Sequence, residues 1–201
     1  PVSSALAGHA LLIGKLWDAI NAPLFGWFTD RTKSRHGKRR VFMLFGAIPL
    51  AIAIALLWFV PVADLIWTFV WIALTFVLFD TIWTLTNVPY YALTSELTDN
   101  YDERSSLTTY RMAMAVPAYL VGAALTPAIV GLFALPRTGY AFIGIAYGLL
   151  AAVALLISAA GLRERSGLAV AKPEPSPFKS LVLAFKNRPF VWLCGTYFVI
   201  N

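Results

Sequence analysis

The sequence is short of the charged residues that a water-soluble domain needs. Asp, Glu, Lys and Arg make up 13% of its 201 residues, whereas apolar types make up 59%. Soluble domains carry about a quarter charged residues, so this chain has too few to cover a water-exposed surface. The same composition argues against a disordered chain, which combines low hydrophobicity with high net charge.

Cysteines and catalytic motifs are scarce as well. The single cysteine, Cys194, excludes an intrachain disulfide and a cysteine-cluster metal site. His9 and His36 lie on different segments, and neither Gly-x-Ser-x-Gly nor His-Glu-x-x-His occurs. Asp18 and Asp80 match an aspartyl protease in number alone. We therefore predict a protein that is not an enzyme, with no metal site and no cofactor.

Long apolar runs are abundant. A helix that crosses a bilayer needs about 20 mostly apolar residues, and a soluble helix of that length would keep a polar face. Five complete runs reach this length, and a sixth begins near residue 189. We predict an all-α, polytopic membrane helix bundle in the cell (inner) membrane, with spans at 5–28, 41–60, 65–92, 107–133 and 139–162.

The net charge of +6 is concentrated in loops. Thirteen Lys and Arg residues lie in segments 29–40, 93–106 and 163–188, against one, Arg137, in the two intervening loops. Because Lys and Arg favour the cytoplasmic side, we predict that these three segments are cytoplasmic and that the first span runs inwards. Basic loops between spans are typical of membrane proteins, so we predict the lipid bilayer as a partner and no nucleic acid.

The layout indicates that the chain is part of a longer protein. It begins at Pro1 without an initiator Met, and its last apolar run is cut off at Asn201. The polar, proline-containing stretch 163–188 is typical of a linker. We predict a half bundle at 1–162, a central cytoplasmic loop at 163–188, and the start of a second half at 189–201.

Ionisable residues at membrane depth are the first candidates for function. Lys15, Asp18 and Asn21 follow one another at three-residue steps and share a helix face. Two interpretations remain open. Lys15 and Asp18 form an ion pair that makes insertion tolerable, or Asp18 lies on the path of a cation or proton.

A polar stripe runs along the third span. Asp80, Thr84, Asn87 and Tyr91 recur at steps of four, three and four residues, and Trp83 borders them. Hydrogen-bonding groups beside aromatic walls suit a sugar-like ligand, whereas the alternative is a polar contact between helices.

Two further features have structural interpretations. Arg111 lies four or five residues inside its predicted span, so extension of its side chain to the membrane surface remains open. Gly144 and Gly148 have the spacing of closely packed membrane helices.

The motifs resemble those of a known family. They are GKLWDAINAP at 14–23, DRTKSRHGKRR at 30–40, TLTNVPYYAL at 84–93, and the stretch from ELT at 96–98 through DER at 102–104 to Arg111. These motifs resemble the glycoside–pentoside–hexuronide:cation symporters, the melibiose-carrier branch of the major facilitator superfamily. The resemblance implies two six-helix halves with alternating access, of which this chain covers helix two to the start of helix seven.

The resemblance also implies a cation site. The family has two carboxylates four residues apart, and Asp18 matches the first, whereas Ala22 occupies the second position. Thr84 matches a threonine near that site, and Asn21 lies within the matched motif. Hard cations favour several oxygen ligands, so Ala22 favours coupling to H+ over Na+.

The remaining implied roles concern the substrate and the loop. Asn87, Tyr91 and Arg111 match positions near the sugar, and with Asp80 and Trp83 they form the predicted substrate site. The loop residues resemble a cytoplasmic motif of the superfamily, a charge lock made and broken as the halves move. They are Asp30, Arg31, Lys38, Arg39 and Arg40.

We therefore predict a secondary active transporter for a sugar, glycoside or sugar acid. It is driven by co-transported H+ or Na+ and functions as a monomer when full length. Two alternatives remain open. A carrier of lysolipid-like amphiphiles would show an apolar lateral opening, and a transport-inactive sensor or scaffold is favoured by Ala22.

Overall fold

The computed structural model describes residues 4–32, 34–35, 37–61, 64–98, 100–162, 186–189, 191–192 and 196. The all-α prediction is confirmed, and the described residues contain no strand. The five long helices are α1 (Ser4–Arg31), α2 (Arg40–Trp58), α3 (Leu65–Leu97), α4 (Tyr101–Val130) and α5 (Pro136–Gly161).

The chain forms two compact units, Pro1–Arg165 and Ser166–Asn201. The first contains all five helices. In the second, a helical turn is described where the Val191 amide donates to the Asn187 carbonyl at 3.1 Å. Most of the predicted loop 163–188, and most of the span predicted from residue 189, lie outside the described residues, so both remain predictions.

Four helices, α2 to α5, are long and apolar enough to cross a membrane. Helix α1 has 28 residues, about 42 Å at 1.5 Å per residue, so its length is sufficient. It falls short in hydropathy because it carries Lys15, Asp18 and Asn21 along its length. The predicted first span is therefore a helix with unusually polar content.

The helices extend beyond some predicted spans at their ends. Helix α4 begins at Tyr101 rather than near 107 because Asn100 caps it, with its side-chain oxygen accepting from the Asp102 amide at 2.9 Å. Asp102 and Glu103 in the first turn also favour a helix start. Hydropathy marks the part of a helix in lipid, whereas the caps decide where the helix ends.

Helices α2 and α5 pack closely and run antiparallel. A Cβ added to Gly148 would lie 2.5 Å from the Ala51 carbonyl oxygen, and one added to Gly144 would overlap Trp58. The close packing predicted from this glycine pair is therefore confirmed. Without side chains at these two positions the backbones can approach one another.

Hydrogen bonds mark the two ends of the bundle. At one end, the Arg40 side chain donates from Nε to the Ala159 carbonyl at 2.6 Å. At the other end, Arg137 donates to the Val60 carbonyl. The two loops predicted to face outwards thus lie together, opposite the end that holds the loop of Asp30.

Candidate functional site

Helices α1 and α3 run parallel and form the contact that carries most of the predicted polar residues. The Trp17 indole donates from Nε1 to the Thr81 hydroxyl at 2.8 Å, and Thr81 in turn donates to the Val77 carbonyl at 2.7 Å. A Cβ on Gly14 would overlap the Phe76 ring. This contact fixes the register between the two helices.

The predicted cation residues lie along this contact. Asn21 is 2% exposed and Thr84 is 5% exposed, whereas Asp18 is half-buried. Nδ2 of Asn21 has no hydrogen-bond partner among the described residues. A buried amide donor without a partner is costly, so this position favours a group that accepts a hydrogen bond.

The residues of the polar stripe all lie on α3, but they differ in how deeply they are buried. Asp80 and Asn87 are half-buried, and Tyr91 is exposed. Asn87 donates from Nδ2 to the Trp83 carbonyl at 3.2 Å. This bond fixes the amide nitrogen on its own helix and leaves the side-chain oxygen as an acceptor for a ligand.

Tyr91 and Arg111 are brought together. The Arg111 guanidinium lies 4.7 Å from the centroid of the Tyr91 ring, a cation–π geometry. Helix α4 begins at Tyr101, ten residues before Arg111, and the guanidinium lies over α3. In this structure, therefore, Arg111 contacts another member of the predicted substrate site.

Trp83 belongs to a second, apolar environment. It stacks on Phe79 with centroids 5.8 Å apart, and both line a cavity of about 580 Å³. The other lining residues are Ile54, Leu57, Trp58, Ala115, Ala118, Tyr119, Tyr147 and Ala151. Because the cavity lies among α2 to α5, Trp83 faces away from the α1–α3 contact.

Some of these residues were not predicted from sequence. Tyr119 and Tyr147 lie on apolar helices, where nothing in the one-dimensional pattern singles them out. The Trp17–Thr81 hydrogen bond joins residues far apart in sequence. The sequence feature that favours this helix contact is Gly14, a small residue that permits close approach. Predicting such pairs requires the relative register of two helices.

The loop motif forms a cluster around one carboxylate. Asp30 accepts from Lys38 at 3.3 Å and from Arg39 at 3.2 Å. Arg31 lies over the Trp27 ring, 4.0 Å from its centroid. With the bond from Arg40 to α5, all five predicted loop residues lie at one end of the bundle, and their role as a charge lock stays a prediction.

Comparison with known proteins gives one matching family. The family described as "MFS/sugar transport protein" matches residues 1–200. This match covers all five helices and both compact units.

Three relatives illustrate the likeness. An uncharacterized symporter of Synechocystis is 35% identical over 86% of this chain and 33% of its own length. The isoprimeverose transporter of Lactiplantibacillus pentosus is 28% identical over 94% of this chain and 40% of its own. The sodium-dependent lysophosphatidylcholine symporter 1-A of Danio rerio is 36% identical over 63% and 24%. The chain thus spans less than half the length of each relative, and all three are named as symporters or transporters.

Proposed function

This chain belongs to the MFS/sugar transport protein family and is a multi-pass protein of the cell (inner) membrane. From that premise we propose that the whole protein is a cation-coupled symporter of a sugar, glycoside or sugar acid. The resemblance drawn from the motifs at 14–40 and 84–111 is confirmed by the family match. The substrate class and the coupled ion belong to the proposal.

The observation that carries the proposal is the position of α3 between two groups of polar residues. Thr84 lies buried along the α1–α3 contact with Asn21. Two turns further on, Tyr91 holds the Arg111 guanidinium of α4. Seven residues of helix span about 10 Å. A cation bound at the first group and a substrate bound at the second therefore act on the same helix, as coupled transport requires.

The substrate wall in this proposal consists of Asn87, Tyr91, Arg111 and Trp83. The Arg111 guanidinium and the Asn87 side-chain oxygen supply a donor and an acceptor for sugar hydroxyls. The exposed Tyr91 ring, 52% accessible, supplies a flat surface against which a sugar ring can stack. Arg111 already occupies one face of that ring, so the sugar would use its edge or its other face.

The cation in this proposal binds at Asp18, and H+ is favoured over Na+. Ala22 contributes no oxygen, so sodium would need neutral oxygens from Asn21, Thr84, backbone or water. A proton needs one carboxylate oxygen. The two halves then move the loaded site between the faces, with the Asp30 cluster made and broken in each cycle.

A second candidate is a carrier of lysolipid-like amphiphiles. The observation that favours it is the apolar, aromatic cavity of about 580 Å³ among α2 to α5. One relative is named for lysophosphatidylcholine. Trp83 links the two candidates because it lines this cavity and borders the polar stripe.

An uptake screen separates the candidates. The full-length protein in proteoliposomes would be given radiolabelled sugars, glycosides and lysophosphatidylcholine at varied pH and sodium concentration. The proposal expects sugar or glycoside uptake that depends on the cation gradient. Lysolipid uptake alone would favour the second candidate, and binding without uptake would favour a sensor or scaffold.

A further inference from the structure

The end of α1 that is predicted to face the cytoplasm carries a surplus of positive charge. Segment 29–40 holds six Lys and Arg residues and one acidic residue, Asp30. Asp30 accepts from Lys38 and Arg39. Among the residues that the structure describes, no ion pair reaches Arg31, which is exposed at the end of α1. This end of the bundle therefore presents a cation that an external anion can neutralise.

The Arg31 side chain is held against an aromatic ring. Its guanidinium carbon lies 4.0 Å from the centroid of the Trp27 ring, one turn earlier on α1. This cation–π contact limits the directions that the side chain can take. A guanidinium carries its N–H donors in a planar fork that suits two oxygens of a phosphate. Arg31 is thus positioned at the surface with donors available to an anion.

The Trp27 indole has an unused donor as well. Its Nε1 atom is buried and has no hydrogen-bond partner among the described residues. A buried donor without an acceptor is costly, so the position favours a group that packs against the indole and accepts a hydrogen bond. An exposed cation and an unsatisfied N–H on two neighbouring side chains point to the same kind of ligand, an anion with oxygen acceptors.

The depth of these residues in the membrane identifies the source of the anion. Trp27 lies in the last turn of the span predicted at 5–28, where Trp side chains meet lipid headgroups. The neighbouring Phe28 is 51% exposed, and its ring packs edge-on against Phe42 of α2 with the centroids 5.7 Å apart. Apolar surface therefore adjoins the charge. Anionic phospholipids of the cytoplasmic leaflet, which basic segments attract, offer a phosphate for one part and an acyl chain for the other.

From these contacts we propose that Arg31 and Trp27 form a binding site for the phosphate of one anionic phospholipid, of the phosphatidylglycerol type, in the cytoplasmic leaflet. Arg31 pairs with the phosphate, the Trp27 indole donates to one of its oxygens, and the exposed Phe28 ring borders the acyl chain. The site lies ten residues along α1 from Asn21, which is about 15 Å. It is therefore separate from the residues proposed for transport and does not depend on which substrate or cation is carried.

Lipid titration of the full-length protein tests the site. Native mass spectrometry would count the phosphatidylglycerol or phosphatidylcholine molecules, with matched acyl chains, that stay bound to the protein. We expect the first phosphatidylglycerol to bind at least about fivefold more tightly, because its headgroup carries no cation that competes with Arg31. Equal affinities for the two lipids would overturn the proposal. Soluble glycerol phosphate should not displace the lipid, and displacement would reject a lipid as the occupant.

Variants separate this site from a general attraction between the basic loop and anionic lipid. Arg31→Gln should weaken phosphatidylglycerol binding about tenfold, and Arg31→Lys, which keeps the charge without the fork, should fall between. Trp27→Phe keeps the ring but removes the N–H, so we expect a several-fold loss. Arg35→Gln is the matched control, since Arg35 is an exposed cation of the same loop, and its binding should be normal. Equal losses in Arg31→Gln and Arg35→Gln, or normal binding in Trp27→Phe, would overturn the proposal.

Thermal unfolding gives a second measurement. A ligand that binds only the folded state raises the melting temperature, so nanodiscs of phosphatidylglycerol and phosphatidylcholine in equal parts should stabilise the unmodified protein by several degrees relative to phosphatidylcholine alone. Arg31→Gln should lose this difference, and Arg35→Gln should keep it. If Arg31→Gln unfolds earlier by the same amount in both nanodiscs, the partner of Arg31 lies within the protein and the lipid site is rejected. Neither experiment measures uptake, so a failure here leaves the proposed function standing.

Discussion

The Arg111 guanidinium lies 4.7 Å from the centroid of the Tyr91 ring and joins α4 to α3. Such a cation–π contact is worth about 0.5–2 kcal/mol, and it lies where α4 is otherwise largely exposed. The contact holds a charged donor beside an aromatic surface where α4 meets α3. A sugar hydroxyl that replaces part of this contact would couple binding to the position of α4.

Removal of the ring should weaken substrate binding. We expect Tyr91→Ala to raise the Kd for the transported sugar about tenfold or more, since both the stacking surface and the partner of Arg111 are lost. Tyr91→Phe keeps the ring and should bind more tightly than Tyr91→Ala. Equilibrium binding to the purified full-length protein measures this.

Tyr101→Ala is the matched control, because Tyr101 is 81% exposed at the start of α4. Its binding should equal that of the unmodified protein. If Tyr91→Ala also binds normally, the Tyr91–Arg111 contact serves helix packing alone.

The α2–α5 contact should tolerate no side chain at Gly148. Gly148→Ala places a Cβ within 2.5 Å of the Ala51 carbonyl oxygen, so one helix has to shift. We expect the melting temperature of the detergent-solubilised protein to fall by about 2–8 °C. Gly122→Ala is the control, since an added Cβ there meets nothing within 4 Å, and an equal loss in both variants would contradict this account.

Loops on opposite ends of the bundle should be accessible from opposite sides. A cysteine at Ser34 should react with a membrane-impermeant reagent from the cytoplasm, and one at Thr138 from outside, in a background with Cys194 replaced. The reason is the excess of Lys and Arg in 29–40, 93–106 and 163–188. Labelling of both cysteines from one side would reject this topology.

The ion pairs of Asp30 should affect the rate of transport more than affinity. In Asp30→Asn the partners Lys38 and Arg39 lose a charged acceptor, and an exposed pair of this kind contributes at most about 1 kcal/mol to stability. We therefore expect normal expression, an unchanged Kd for the sugar and an uptake rate reduced several-fold. Asp64→Asn should leave the rate unchanged, and a Kd that rises with the loss of rate would place Asp30 in substrate binding.

Four helices could be predicted from hydropathy because their apolar runs are long, and α1 could be predicted from the length of its run despite its polar residues. The ends could not, as the start of α4 at Asn100 shows, because capping bonds rather than hydropathy fix them. The spacing of Gly144 and Gly148 predicted that their helix packs closely against another, and α2 is that helix. The pairing of α1 with α3 could not be predicted, because it depends on contacts such as the Trp17–Thr81 hydrogen bond between distant parts of the chain.

The same limit applies to Arg111. Its position in the sequence allows both a surface and a site location, and its contact with Tyr91 depends on how α4 packs against α3. The cavity beside Trp83 is another case, since its apolar and aromatic lining comes from four helices whose packing the sequence pattern does not reveal. Periodicity identifies the face of one helix and not the neighbour that covers it.

The central claim is that Asp18 couples a cation to transport. Its most direct test is paired counterflow and uphill uptake of the transported sugar in proteoliposomes, with imposed pH or sodium gradients. Asp18→Asn should lose accumulation against a gradient and keep counterflow, because the site stays intact when its charge is removed. The unmodified protein should respond more to the pH gradient than to sodium, and Ala22→Asp should raise the response to sodium. Uphill uptake by Asp18→Asn at the normal level would contradict the account.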